Sequence, residues 1–178
     1  MRIRPASGQD LAAVLDVERA AFGEDSEADL VVALIVDPSA MPLINLVAEL
    51  AGEIVGHALF SRAVVETAEG ALEATILAPL AVTPTAQGRG IGQALCRDGI
   101  AVARAQEIGL VFVLGHIGYY PRVGFTPASP LGLAAPYPID PAVADAWMVV
   151  ETKPGLLGSV RGTVLCAQAL MSPEMWAE

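Results

Sequence analysis

Hydrophobic and polar positions alternate with a helical period at the start of the chain and with a strand period through its middle. Ile3-Arg4-Pro5-Ala6 reads as a short strand, after which Ser7 or Asp10 is placed to cap a helix. Leu11, Val14, Leu15 and Glu18 fall on one side of that helix, which runs to about Phe22 and ends at Gly23. The acidic stretch 24–29 opens a second helix through Val36, where carboxylates suit the positive end of a helix dipole, and Asp37-Pro38 closes it. Residues 43–50 and 53–65 are then apolar and β-branched, joined by Ala51-Gly52 as a hairpin. Gly70 marks a turn before a strand over 72–82. A helix is expected from Gly88 to about Glu107, with Gly109 as its stop. Residues 110–114 read as a buried strand. Five prolines over 126–141 predict a long loop, followed by a strand at 147–151, a turn at Lys153-Pro154-Gly155 and a last extended piece over 162–168.

With no repeat and no linker, residues 1–178 are expected to form one domain of the α/β (α+β) class. Its order is two helices packed on a mostly antiparallel sheet, then a strand-helix-strand unit. Composition narrows its surroundings. Mean hydropathy is +0.54, yet the longest apolar runs, 30–36 and 77–82, fall well short of a spanning helix of ~20 residues. The first ten residues lack the apolar core of a signal peptide, so a soluble cytoplasmic protein is expected, with no membrane partner. Its surplus apolar residues fill a core and leave room for a homodimer interface. Ten basic against twenty acidic residues give a net charge of −10, which argues against nucleic acid. Cys96 and Cys166 are isolated, without metal or redox spacing, and read as buried small hydrophobes; no metal is expected.

Chemistry concentrates at Gln87-Gly88-Arg89-Gly90-Ile91-Gly92, between an apolar strand and an amphipathic helix. A helix start presents unpaired N–H groups and a partial positive charge, and so attracts phosphate. Glycine lets the anion approach, and Arg89 adds one cation. The dinucleotide fingerprint fails on spacing, since counting on from Gly88 and Gly90 reaches Gln93 rather than glycine; a triphosphate loop fails because no Gly-Lys pair exists. The helix also carries a small-residue stripe, Gly92, Cys96, Gly99 and Ala103, suited to close contact with a sheet.

The run from Leu80 through Leu95 resembles the central motif of the GNAT superfamily of N-acetyltransferases, and Tyr119-Tyr-Pro-Arg-Val-Gly-Phe125 resembles its second signature. The tail, with Trp147-Met-Val-Val-Glu-Thr-Lys-Pro-Gly155, is similar to a subgroup of predicted bacterial acetyltransferases of unassigned substrate. The resemblance implies a GNAT-like mixed sheet, flanked by helices, whose splayed strand pair holds the coenzyme. It places the pantetheine arm of acetyl-CoA along Leu80, Ala81 and Val82, with Pro79 interrupting the ladder, and the pyrophosphate at the N–H groups from Gln87 through Gly88, Arg89, Gly90 and Ile91 to Gly92. It also implies direct attack of an amine on the acetyl thioester, with Tyr120 protonating the leaving thiolate.

A phenol of pKa ~10 giving a proton to a thiolate of pKa ~8.5 is uphill by about 2 kcal/mol, which is feasible. A lysine-like acceptor of pKa ~10.4 is about 0.04% neutral at pH 7, so a base is expected, but the sequence singles none out. Glu24, Asp25 and Glu27 border the acceptor region in the family and equally suit a solvated helix start, while His57 and His116 read as structural. Gly115-His116 stands where the family often has a polar residue such as asparagine. The resemblance implies that the acceptor is a primary amine of a small molecule or peptide. Two other readings stay open: a catalytically silent acyl-CoA-binding regulatory domain, and an acyltransferase using a longer acyl-CoA.

Overall fold

In the computed structural model, which describes residues 1–177, nine strands form one sheet with α-helices on both faces. Its elements are β1 (Arg2–Pro5), α1 (Leu11–Phe22), α2 (Ser26–Val36), β2 (Ile44–Leu50), β3 (Glu53–Thr67) and β4 (Gly70–Val82). After these come α3 (Ile91–Ala105), β5 (Leu110–Leu114), β6 (Thr126–Pro127), β7 (Leu133–Ala134), β8 (Trp147–Glu151) and β9 (Gly162–Cys166). The strand order is β1-β2-β3-β4-β5-β8-β6, antiparallel at every step except β4 to β5. β9 lies antiparallel on β3 beyond the end of β2, and β7 pairs with β9. The mixed, mostly antiparallel sheet flanked by helices is the one expected. No described helix is long and apolar enough to cross a membrane.

Local chemistry sets the boundaries. Ser7 and Asp10 form a capping box on the turn before α1, and Asp10 also pairs with Arg4, whose Nε–H donates to Glu49. Gly23 ends α1 in a left-handed conformation that glycine adopts without cost. On one face of the sheet α1 and α2 cover Val47, Leu59, Val65, Ile76 and Phe112; on the other α3 covers Leu46, Phe60, Leu77, Val111 and Val113.

The small-residue stripe of α3 is a contact surface. Cys96 and Ala103 are fully buried, and a Cβ on Gly99 would drive into the Phe60 ring. Alanine ordinarily favours a helix over glycine by about 1 kcal/mol, but overpacking a core costs about 1–3 kcal/mol. Because Phe60 has no exposed surface into which to move, overpacking wins. Gly99→Ala is therefore expected to lower the urea midpoint by an amount equal to about 1–2 kcal/mol, with an unchanged slope.

The expected loop over 126–141 is only in part a loop. Thr126 and Pro127 pair with Val149 and Met148, while Leu133 and Ala134 pair with Gly162 and Thr163. Ala128 and Leu133 are buried, and the Trp147 Nε1–H donates to the Leu133 carbonyl at 3.0 Å. Two strands of two residues carry no periodicity of their own; pairing with β8 and β9 creates them.

Candidate functional site

β4 and β5 stay together for only three residue pairs, Ala74 with Leu110, Thr75 with Val111 and Ile76 with Phe112. Beyond Ile76, β4 continues on β3 alone to Val82, and Val113 and Leu114 of β5 pair only with β8. The sheet therefore opens into a wedge whose β4 edge, residues 77–82, has no strand beside it. A bulge helps to bend that edge away. Ala58 faces Leu80 and Phe60 faces Leu77, so β4 carries an extra residue at Ala78-Pro79, where Pro79 has no N–H for the ladder. Leu80 and Val82 pack toward α3, and Ala81 takes the opposite face.

At the mouth of the wedge the chain turns through Pro84-Thr85-Ala86 into the glycine loop. Gly88 (φ 75°) and Gly90 (φ 78°) are both left-handed, and Gly90 is the cap of α3. A Cβ at either would meet no atom within 4 Å, so conformation, not crowding, calls for glycine at these two positions. Gln87 N–H reaches the Pro84 carbonyl at 3.4 Å and Ala94 N–H reaches Gly90 at 3.0 Å, and between them no main-chain N–H has a described carbonyl partner. Gly88, Arg89, Gly90, Ile91 and Gly92 thus offer a set of free donors at the positive end of a 15-residue helix. Arg89 is exposed and forms no ion pair among the described residues. Gln87 is engaged within the loop, its amide donating to the Val82 carbonyl at 2.9 Å. These open N–H groups beside an unpaired strand edge fit a ligand with a phosphate group and an extended arm.

Both tyrosines of the second signature stand at the wedge. The His116 carbonyl accepts from the N–H groups of Tyr119 and Tyr120 and so organises their turn. A Cβ on Gly92 would collide with the Tyr119 hydroxyl, which brings that phenol to the start of α3. The Tyr120 ring lies against Gly115, just past β5, and packs edge-on to Tyr119 and Phe125 with centroids 5.1 and 5.6 Å apart. A Cβ on Gly115 would strike that ring, which gives a physical reason for glycine where the family often has a polar residue. Burial pushes the Tyr119 phenol up to about 12 and the Tyr120 phenol higher still, and neither hydroxyl is hydrogen-bonded to a described residue.

The acidic residues behave differently from one another. Asp25 pairs with Arg19 at 2.7 Å and Glu24 is exposed, but Glu27 is half-buried and accepts from the Ser26 hydroxyl at 2.9 Å. His57 is fully buried and joined to Glu18 of α1, a residue that sequence reasoning passed over. The signal was present, since Glu18 is a carboxylate at apolar helical spacing. His116 is exposed.

The sequence model of a family described as "Acetyltransferase (GNAT) domain" matches residues 43–127. The chain is 46% identical over 144 residues to the uncharacterized N-acetyltransferase YjhQ of Escherichia coli (strain K12), a match covering 79% of this chain and 78% of that one. Among solved structures it is similar to the GNAT family N-acetyltransferase YhbS from Escherichia coli in complex with CoA, with a TM-score of 0.84 and 26% identity over 96% of this chain and 92% of that one. It is also similar to a GNAT family acetyltransferase from Brucella melitensis in complex with acetyl-CoA, with a TM-score of 0.73 and 28% identity over 95% and 97% of the two chains.

Proposed function

The chain belongs to the GNAT family of acetyltransferases, and from that premise we propose that it moves an acetyl group from acetyl-CoA to a primary amine of a small molecule or peptide. The observation that carries this reading is the wedge between β4 and β5, which ends at the open N–H groups of the α3 start. Acetyl-CoA supplies an activated acetyl thioester. Leu80, Ala81 and Val82 offer the β4 edge to its pantetheine arm, as a strand would to an added neighbour. The N–H groups from Gly88 to Gly92 receive its pyrophosphate, with Gln87 shaping the loop and Arg89 adding a charge.

Tyr120 is the acid. Its ring lies against Gly115 just past the end of β5, and its raised phenol keeps its proton at neutral pH, as an acid must. The acceptor amine attacks directly, with no covalent enzyme intermediate. The thiolate forms in the same water-poor site, where it too is more basic than in solution, so the transfer is less uphill than Tyr120 alone would suggest.

Acetyl-CoA at one hundred times its Kd is expected to stabilise the protein by about 2.7 kcal/mol, or about 5–10 °C in melting temperature. Propionyl-CoA and succinyl-CoA at the same concentration are expected to shift it less. Thiol release from acetyl-CoA across a library of primary amines then tests the reaction. A melting shift without thiol release above hydrolysis for any amine would sink the enzyme reading in favour of a silent binding domain.

A further inference from the structure

A cavity of about 430 Å³ opens where β5 runs out. Gly115, His116 and Ile117 form one wall, and the 3₁₀ segment Pro141–Ala146 forms the other. The Gly115 N–H donates to the Ala146 carbonyl at 3.0 Å and ties the two walls together. The Asp140 carboxylate accepts from the Ala142 N–H at 2.8 Å and so starts the 3₁₀ segment. The volume falls within the range of roughly 300–1,000 Å³ typical of small-molecule sites. A second cavity, of about 360 Å³, lies along 134–139 and shares only Ala144 with the first; none of its lining residues belongs to the wedge.

The first cavity adjoins the wedge through Gly115. That residue follows Leu114, on the stretch of β5 that β4 has left, and the Tyr120 ring lies against it where a Cβ would stand. One glycine thus separates the Tyr120 ring from the cavity. The lining chemistry is one-sided. Ile117 is 60% exposed and Val143 is 42% exposed, while alanines fill most of the wall around Val143. Hydrated apolar side chains in a concave site gain from a ligand that covers them. No Lys or Arg lines the cavity, and Asp145, its one carboxylate, forms no ion pair among the described residues. An acceptor bearing a carboxylate would give up water there with no cation to replace it, and would meet Asp145 as a like charge.

We propose that this cavity is the acceptor site and that its acceptors are small amines on an uncharged apolar body, alkylamines or arylalkylamines without a carboxylate. Ile117 and Val143 grip the body, and Asp145 sets the charge preference. The proposal rests on the acetyl-transfer reading above. The amino end points past Gly115 toward Tyr120 and the wedge. Asp145 attracts the ammonium form as it arrives and repels an anionic molecule, in the same sense as the net charge of −10. These residues act in binding, so replacing them should change KM for the amine more than kcat.

Three kinetic comparisons test the assignment. In wild type, kcat/KM should rise about three- to fourfold per methylene from ethylamine to pentylamine, as expected for buried CH₂ groups. It should also be at least about 30-fold higher for 2-phenylethylamine than for phenylalanine, which differs from it by one carboxylate. Val143→Trp fills the cavity and should flatten the alkyl series by raising KM for pentylamine, while the melting shift with acetyl-CoA stays as in wild type. Asp145→Lys should narrow the ratio of 2-phenylethylamine to phenylalanine by at least about tenfold, improving the amino acid and weakening the amine. Both replaced side chains are exposed, so neither variant gives up core packing. A flat series in wild type, equal use of 2-phenylethylamine and phenylalanine, or either variant leaving its selectivity unmoved would overturn the proposal while acetyl transfer stood. No thiol release with any amine would fell the acetyl-transfer reading itself, and the proposal with it.

Discussion

Tyr120→Phe is expected to lower kcat for acetyl transfer by about 10³-fold while leaving the melting shift with acetyl-CoA intact. The substitution removes one oxygen and nothing else. The ring still packs on Gly115 and edge-on to Tyr119 and Phe125, and the hydroxyl has no protein hydrogen bond to lose. Stability should therefore change by less than about 1 kcal/mol, and the lost rate can be read as lost proton transfer. Tyr119→Phe is the control. Its hydroxyl meets Gly92 on the helix side of the wedge, so this variant should alter KM for acetyl-CoA more than kcat. A Tyr120→Phe enzyme releasing thiol at the wild-type rate with a working acceptor would remove Tyr120 from the mechanism.

The second large effect is on stability. Trp147 is the largest fully buried side chain, stacked on Phe112 at 5.0 Å and 9°, and met edge-on by Trp176 at 5.5 Å. Trp147→Ala should cost about 3–5 kcal/mol from lost transfer energy and the cavity left behind. It also strands the Leu133 carbonyl, which accepts the indole N–H. A domain of this size is stable by only about 5–15 kcal/mol, so the melting temperature should fall by about 10 °C or more. Trp147→Phe keeps an aromatic partner for Phe112 and should recover more than half of the loss. A Trp147→Ala melting point within about 3 °C of wild type would mean that the 126–141 segment is held by something other than this indole.

The features legible in the sequence were those imposed by local backbone demands. Gly88 and Gly90 stand where left-handed dihedrals are needed, Gly23 where α1 must stop, and β3 and β4 are long enough for their apolar pattern to speak. Pro79 marks an interruption of the ladder, which the structure realises as a β-bulge, but the point at which β4 leaves β5 depends on which neighbour each strand keeps. β6 and β7 were hidden in proline-rich sequence because their partners lie elsewhere along the chain. Gly115 reads as a missing polar group until the Tyr120 ring is seen to fill its place. Glu18 stood at an apolar helix position in plain view, but its buried partner His57 lies on β3, 39 residues further along the chain, which no single segment records.

The pairing of β9 with β3 sets a hazard during synthesis. Ala63, Val64, Val65 and Glu66 of β3 must wait for Cys166, Leu165, Val164 and Thr163, which leave the ribosome about a hundred residues later. At ~5–20 residues per second, that edge of the nascent chain stays unpaired for about 5–20 seconds. Alternating apolar residues with open N–H and C=O groups are a template for another strand during that time. Slower translation after β3, or truncation before β9, should therefore drive aggregation rather than simple loss of stability, and a chaperone that shields strand edges should rescue the yield.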